Sequence, residues 1–158
     1  MTDQAEQKEK RGYLSVVFAE PVEIMFRFFI GGLFIYAALP KLGDPLAFTD
    51  TVRAYQLVDD PLNAWIAIGV PILELLCAIC VVLRLFYAGA CTILLGMSLG
   101  FAAAIGSLWA RGITINCGCF GASDEASNYP LHIAGNIGLA ILLVGMLWWE
   151  WRRLRKQR

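Results

Sequence analysis

Residues 64–83 read AWIAIGVPILELLCAICVVL, a run of twenty residues in which Glu74 is the only charged side chain. A helix crosses the roughly 30 Å hydrocarbon layer of a bilayer with about 20 mostly apolar residues. Strands that cross membranes are shorter and alternate between polar and apolar residues, which this run does not do. The run therefore predicts a transmembrane helix and argues against a β-barrel.

Three further runs of this kind extend over residues 24–42, 86–110 and 131–151. The chain has 158 residues, of which 58% are hydrophobic and 16% are charged, whereas soluble domains have about 45–50% apolar and about 25% charged residues. The remaining segments are too short for a separate soluble domain. We therefore predict an all-α polytopic membrane protein, a four-helix transmembrane bundle whose membrane domain covers residues 24–151.

Basic residues are distributed unequally between the two ends of this predicted bundle. Four spans place both termini on the same side as the short turn at Arg84, and this side carries nine basic residues against three on the other. Short membrane loops that are rich in Lys and Arg stay in the cytoplasm. The predicted orientation is N-in/C-in, with a cytoplasmic N-terminal segment over residues 1–23, a basic cytoplasmic tail over residues 152–158, and two longer loops that face outward.

The basic tail directly follows Trp148, Trp149 and Trp151. Tryptophan and basic side chains gather where a membrane meets water, so this arrangement is typical of an anchor in the lipid bilayer. Nucleic-acid binding is therefore not expected.

The first outward loop contains a candidate for a short helix. Phe48, Val52 and Tyr55 recur at spacings of four and three between Pro45 and Leu57, a pattern typical of one face of a helix. An amphipathic connector along the membrane surface explains the pattern, and a partner-binding site is the alternative.

The second outward loop contains the sequence CGCFG at residues 117–121. Cys117 and Cys119 are separated by a single residue. A disulfide between them would be strained, because a relaxed bridge requires a defined dihedral angle together with Cα atoms about 5.5–6 Å apart. Strained, exposed disulfides are often the labile or catalytic ones, and an outward position permits oxidation. The pair therefore predicts a thiol–disulfide exchange site, with a static disulfide or an idle thiol pair as alternatives. Arg111 is a candidate cation for lowering the pKa of one thiol.

A metal site is a further alternative for this loop. Two thiolates together with His132 would offer three donors to a soft metal ion. However, the CGC pair supplies only two ligands, and His132 is the only histidine in the chain. We therefore predict that the chain has no metal site.

Cys77, Cys80 and Cys91 lie within the second and third spans. A cysteine inside a span usually packs as a small apolar residue. The alternative is a second dithiol that passes electrons across the membrane to Cys117 and Cys119. At 1.5 Å of helical rise per residue the two sets lie roughly 20–25 Å apart, so this transfer would need a quinone or a large motion.

Glu74 lies near the middle of its span, where a lone carboxylate costs roughly 2.5–3.5 kcal/mol. It is therefore expected to face the bundle interior and to be protonated or to have a partner. The candidate partners are Lys41 at the outer end of the first span, and His132 or Asn136 at the start of the fourth. Structural pairing and proton handling both agree with this position. Arg27, near the cytoplasmic end of the first span, is expected to snorkel.

Several short motifs together resemble the MauE branch of the DoxX-like membrane proteins. In chain order they are Lys41-Leu42 with Asp44-Pro45, Phe48 with Ala54-Tyr55, Pro71 with Glu74, and Cys117-Gly-Cys-Phe-Gly121 after Arg111-Gly112. The resemblance implies a four-helix bundle of the bacterial cytoplasmic membrane. It also implies a thioredoxin-like periplasmic partner, with which such proteins form or maintain disulfides of a client such as methylamine dehydrogenase. Cys117 and Cys119 are then the redox pair, and the resemblance assigns no role to the other three cysteines.

The leading hypothesis for function is therefore a membrane thiol–disulfide redox protein that exchanges electrons with this partner. Its catalytic residues are Cys117 and Cys119, and its supporting residues are Glu74, Lys41, Arg111 and His132. One alternative is a quinone-coupled thiol oxidoreductase, for which a quinone is the possible cofactor and for whose binding the sequence has no diagnostic motif. The other is a non-catalytic membrane subunit or assembly factor, in which the cysteines only brace a loop.

Overall fold

The computed structural model describes residues 2–113 and 128–156, and describes residues 2–20 only as backbone. The described elements are five helices and no strand, which confirms the all-α prediction. They are α1 (Thr2–Gly43), α2 (Pro45–Ala54), α3 (Leu62–Leu83), α4 (Tyr87–Ala110) and α5 (Tyr129–Lys156).

Among the described residues, four segments are long and apolar enough to cross a membrane, namely Pro21–Gly43 within α1 and the whole of α3, α4 and α5. Their outward surfaces carry large apolar side chains such as Phe28, Leu76 and Ile141, each more than half exposed. Lipid is the solvent that accepts such a surface, and helices satisfy the backbone hydrogen bonds that lipid cannot. The chain is a multi-pass membrane protein with four apolar helices, as predicted.

Two helices extend beyond the predicted spans. The first span is predicted to begin at residue 24, whereas α1 is continuous from Thr2 through Pro21. The reason is local, because residues 2–11 are rich in Gln, Glu, Lys and Ala, which are strong helix formers. At the other terminus α5 continues through most of the basic tail to Lys156.

The spanning helices pack in the order α1, α3, α4, α5, and α2 packs against α3 and α1. The core lies where all four meet: Ile30, Ala78, Leu94 and Leu143, one from each spanning helix, are fully buried. Gly31 permits close packing of α1 on α3, because a Cβ atom there would collide with the side chain of Val82.

Charged residues join the helices at the end of the bundle where both chain termini lie. Arg84, in the turn between α3 and α4, places Nη2 2.9 Å from Glu150 Oε2 and 3.4 Å from Glu23 Oε1. Arg153 Nη1 lies 3.2 Å from Glu23 Oε2. We call this the termini end, and the opposite end, with α2 and the connection from α4 to α5, the loop end. That the termini end faces the cytoplasm stays a prediction.

Arg27 has partners inside the protein. Its guanidinium donates to the backbone carbonyl of Val81 at 3.1 Å and to that of Val82. The last carbonyls of a helix have no partner within that helix. Arg27 therefore caps the C-terminus of α3 in place of the expected snorkelling.

Candidate functional site at the loop end

Glu74 and Lys41 form a buried ion pair between α3 and α1. Lys41 Nζ lies 2.8 Å from Glu74 Oε2, and the two side chains are only 3–4% exposed. The structure thus brings Lys41, one of the three candidate partners, to Glu74. A charge of either sign alone would be costly at this depth, and pairing the two offsets part of the cost.

Lys41 reaches Glu74 because of where its side chain starts. It lies in the last turn of α1, and the Cα–Cβ bonds of a helix tilt toward its N-terminus. The side chain therefore runs back into the bundle. Its Nζ lies 4.8 Å from the ring centroid of Phe101 on α4 and 5.6 Å from that of Phe48 on α2. Both distances are short enough for cation–π attraction, so Lys41 links its own helix to α2, α3 and α4.

Other buried polar side chains lie between the loop end and the middle of the bundle. Thr49 donates to the carbonyl of Pro45 at 2.7 Å, and Asn63 Nδ2 donates to the carbonyl of Val58 at 3.0 Å. Ser98, one helical turn before Phe101 on α4, is fully buried, and its hydroxyl makes no hydrogen bond within the described residues. The loop-end half of the interior is thus the polar half.

The two ends of segment 114–127 are tied together. The hydroxyl of Tyr129, in the first turn of α5, donates to the carbonyl of Ile113 at 2.8 Å. The guanidinium of Arg111 donates to the carbonyl of Tyr55, the residue that follows α2. Both tyrosines also pack into a buried cluster with two side chains of α4, Ile105 and Leu108. The chain therefore leaves α4 and enters α5 at one fixed point beside α2.

Comparison with known proteins identifies the family of this bundle. The family model described as "Methylamine utilisation protein MauE" matches residues 17–149, a range that begins within α1 and ends within α5. The chain belongs to the MauE family. A relative named "Methylamine utilization protein MauE", from Methylorubrum extorquens strain AM1, is 34% identical over 137 residues, which cover 85% of this chain and 74% of the relative. No solved structure matches the chain significantly.

The predicted redox pair of this MauE family member, Cys117 and Cys119, lies outside the described residues. Any contact between these thiols and Arg111 therefore also lies outside the described residues. Within them, Arg111 donates to the carbonyls of Tyr55 and Ser107. The predicted redox role of the pair stays a prediction, as does the effect of Arg111 on it.

Asn136, a candidate partner for Glu74 from the start of the fourth span, makes its hydrogen bond elsewhere. Asn136 Nδ2 donates to the backbone carbonyl of His132 at 3.0 Å, within its own helix. His132 itself is half-buried near the start of α5, close in sequence to the anchoring Tyr129. Among the described residues of this MauE-family chain, no group of three or more His, Cys, Asp or Glu side chains could hold a metal ion.

The cysteines inside the spans belong to the core. Cys77 and Cys91 are buried and Cys80 is half-buried, and all three are free thiols. Cys77 and Cys91 lie in the same apolar cluster as Leu94 and Leu143, and Cys80 packs against it. This confirms the prediction that they pack as small apolar residues, and a redox role for them stays a hypothesis.

Two residues of the site could not be found from the sequence. Phe101 is one apolar residue in an apolar helix, and no spacing distinguishes it from its neighbours. Tyr129 precedes the predicted fourth span, and nothing in the sequence pairs it with Ile113. Phe48 and Tyr55, by contrast, stand out by their helical spacing, and both are buried.

Proposed function

We propose that this MauE family member is a membrane thiol–disulfide redox protein whose catalytic residues are Cys117 and Cys119. The observation that carries the proposal is a CGC sequence within segment 114–127, whose two ends are tied to each other and to α2. A glycine-separated pair favours a strained disulfide that is readily reduced.

Exchange with a partner takes two steps. The thiolate of Cys117 attacks one sulfur of the partner's disulfide, which forms a mixed disulfide and releases the partner's other sulfur as a thiolate. The thiolate of Cys119 then attacks Sγ of Cys117, which closes the Cys117–Cys119 disulfide and releases the partner as a dithiol. In this direction two electrons and two protons pass from the pair to the partner. In the reverse direction the partner's dithiol passes two electrons and two protons to the strained Cys117–Cys119 disulfide, and this is the direction that forms client disulfides.

The buried ion pair supports this site from within the bundle. Glu74 holds Lys41, the ammonium of Lys41 lies against Phe48 of α2, and the residue after α2, Tyr55, accepts the hydrogen bond of Arg111. This series of contacts connects the middle of the membrane to the base of the CGC segment. We therefore assign positioning roles, not catalytic ones, to Lys41, Glu74 and Arg111. His132 is a further supporting residue because it lies near the start of α5, three residues after Tyr129, whose hydroxyl ties the two ends of the segment.

The partner and the location follow from the resemblance to the wider group of DoxX-like membrane proteins. The partner is a thioredoxin-like periplasmic protein. The location is the bacterial cytoplasmic membrane, with the loop end facing outward. The Methylorubrum relative is named for methylamine utilisation. Methylamine dehydrogenase is accordingly the client whose disulfides we expect this protein to form or maintain.

The test separates redox chemistry from an assembly role. In cells that carry the double variant Cys117→Ser/Cys119→Ser, we expect the client to accumulate with free thiols while the variant itself stays in the membrane at normal level. The matched control is Cys80→Ser, which removes a thiol within the membrane and should leave the client oxidised. If the client matures normally with the double variant, the protein is a non-catalytic subunit or assembly factor and the redox proposal is wrong.

A further inference from the structure

An apolar groove of about 370 Å³ opens between α1 and α5 in the half of the bundle nearest the termini end. Val22 and Phe26 of α1 form one wall, Ile141, Gly145 and Trp149 of α5 form the other, and Tyr87 of α4 also lines it. The groove exists because α1 and α5 are the outer helices of the row α1, α3, α4, α5 and scarcely touch each other within the described residues. Its volume lies within the about 300–1,000 Å³ of small-molecule sites.

Gly145 widens this groove. Apart from the backbone of α5 itself and the adjoining residues, no described atom lies within 4 Å of the position that a Cβ atom would take there. A larger side chain at this position has room, but it would occupy space that the groove now offers to a ligand. The position therefore provides a direct way to fill the groove without disturbing the core.

The described residues around the groove at the termini end are mostly basic. They are Arg84, Arg152, Arg153, Arg155 and Lys156, against Glu23, which lines the groove, and Glu150. Both carboxylates are already paired with Arg84 or Arg153. Arg152 follows Trp149 by three residues on the groove-lining face of α5 and lies over the ring of Trp148, 3.6 Å from the ring centroid. Stacking uses the flat face of a guanidinium and leaves its N–H edge available for a phosphate.

We infer that this groove binds one acyl chain of an anionic phospholipid, whose phosphate is held at the rim by Arg152. The apolar walls match the acyl chain, and the excess of positive charge matches an anionic headgroup. A neutral quinone could accept a hydrogen bond at the rim but would lack the charge attraction of a phosphate. A second copy of the chain, inserted in the same orientation, would bring an identical basic rim against this one, and the two rims would repel.

The test uses the purified full-length chain in nanodiscs of phosphatidylcholine, with and without phosphatidylglycerol. Native mass spectrometry should show one phosphatidylglycerol retained per chain at collision energies that strip phosphatidylcholine, and phosphatidylglycerol should raise the thermal midpoint. Gly145→Leu should abolish both effects by filling the groove. Its matched control is Gly100→Leu, at an exposed position of α4 that also has open space around it.

A second pair of variants tests the rim without touching the groove. Arg152→Gln should lose the preference for phosphatidylglycerol, whereas Arg53→Gln, a cation at the loop end, should keep it. Equal retention of the two lipids by the unmodified chain would overturn the inference, and so would a Gly145→Leu variant that keeps the preference. An equimolar quinone in the organic extract, absent from Gly145→Leu, would make a quinone the occupant. A dimer that Gly145→Leu dissociates would make it a second copy.

Discussion

Lys41 Nζ and Glu74 Oε2 lie 2.8 Å apart, in a bundle where both side chains are almost entirely shielded from the surroundings. The pair joins the last turn of α1 to the middle of α3, and the rings of Phe48 and Phe101 lie near the ammonium. The ion pair and the two rings therefore join α1, α2, α3 and α4 at one point. Because a buried ion pair that loses one partner leaves an uncompensated charge, both residues should be sensitive to substitution.

The first prediction concerns the charge of residue 74. Glu74→Gln keeps the shape of the side chain and a hydrogen-bond acceptor for Lys41, whereas Glu74→Lys places two ammonium groups together. Breaking a buried pair costs about 3–5 kcal/mol, and we expect Gln to fall at or below this range and Lys above it. Thermal unfolding in detergent and the amount of protein in the membrane measure the difference.

A double variant identifies the pair as the cause. Lys41→Met/Glu74→Gln removes both charges and should be more stable than the sum of the two single effects predicts. Additive effects would show that the two residues act independently. Client maturation is measured separately, because a Gln variant that folds normally but no longer supports the client would rule out a purely structural role for Glu74.

The second prediction concerns the order of attack in the CGC pair. Removing the resolving cysteine should prolong the mixed disulfide, because it can then no longer be cleared from within the segment. With Cys117 as the attacking residue, Cys119→Ser should trap more partner than Cys117→Ser. A non-reducing gel of acid-quenched cells should show a band that disappears on reduction and contains a thioredoxin-like protein.

Cys91→Ser is the control for trapping, because Cys91 is a buried thiol of the core and should give no such band. More partner trapped by Cys117→Ser than by Cys119→Ser would reverse the assignment of the attacking residue. No band with either variant would argue against exchange through the pair.

The third prediction concerns orientation in the membrane. Asp50→Cys and Ser123→Cys should react with a membrane-impermeant thiol reagent in intact cells, and Gln157→Cys should react only after the cells are opened. Cys117 and Cys119 are replaced by Ser in this background so that they do not react. The reason is the excess of basic residues at the termini end. Labelling of residue 157 in sealed cells would reverse the orientation and the compartment proposed for the CGC pair.

The fourth prediction concerns the packing of α1 on α3. A Cβ atom at Gly31 would collide with the side chain of Val82 and lie 3.2 Å from the carbonyl oxygen of Ala78. Gly31→Ala should therefore destabilise the bundle by about 1–3 kcal/mol, the usual cost of overpacking. Gly32→Ala, the neighbouring position with no atom within 4 Å, should be close to neutral. Equal thermal midpoints for the two variants would contradict the close approach of the helices.

The amino-acid sequence alone determined which parts of the chain are transmembrane. Lipid offers no hydrogen bonds to the backbone, so an apolar run of about 20 residues has to form a helix whatever its neighbours are. The cost of a lone carboxylate in lipid explains why Glu74 had to face the bundle interior. Capping explains why α2 begins at Pro45: the Asp44 side chain accepts from the backbone N–H of Ala47 at 3.0 Å. These conclusions depend on local chemistry only.

The tertiary structure decided which residues meet. Lys41, His132 and Asn136 were equivalent candidates for Glu74 because all three are polar residues near the ends of spans. The choice of Lys41 follows from the packing of α1 against α3, to which Gly31 contributes. Helix packing also decided three further features: the contact of Phe101 with Lys41, the capping of α3 by Arg27, and the groove between α1 and α5. Helix order and rotation depend on how side chains interlock between helices that are almost equally apolar, and that information is absent from the periodicity of any single helix.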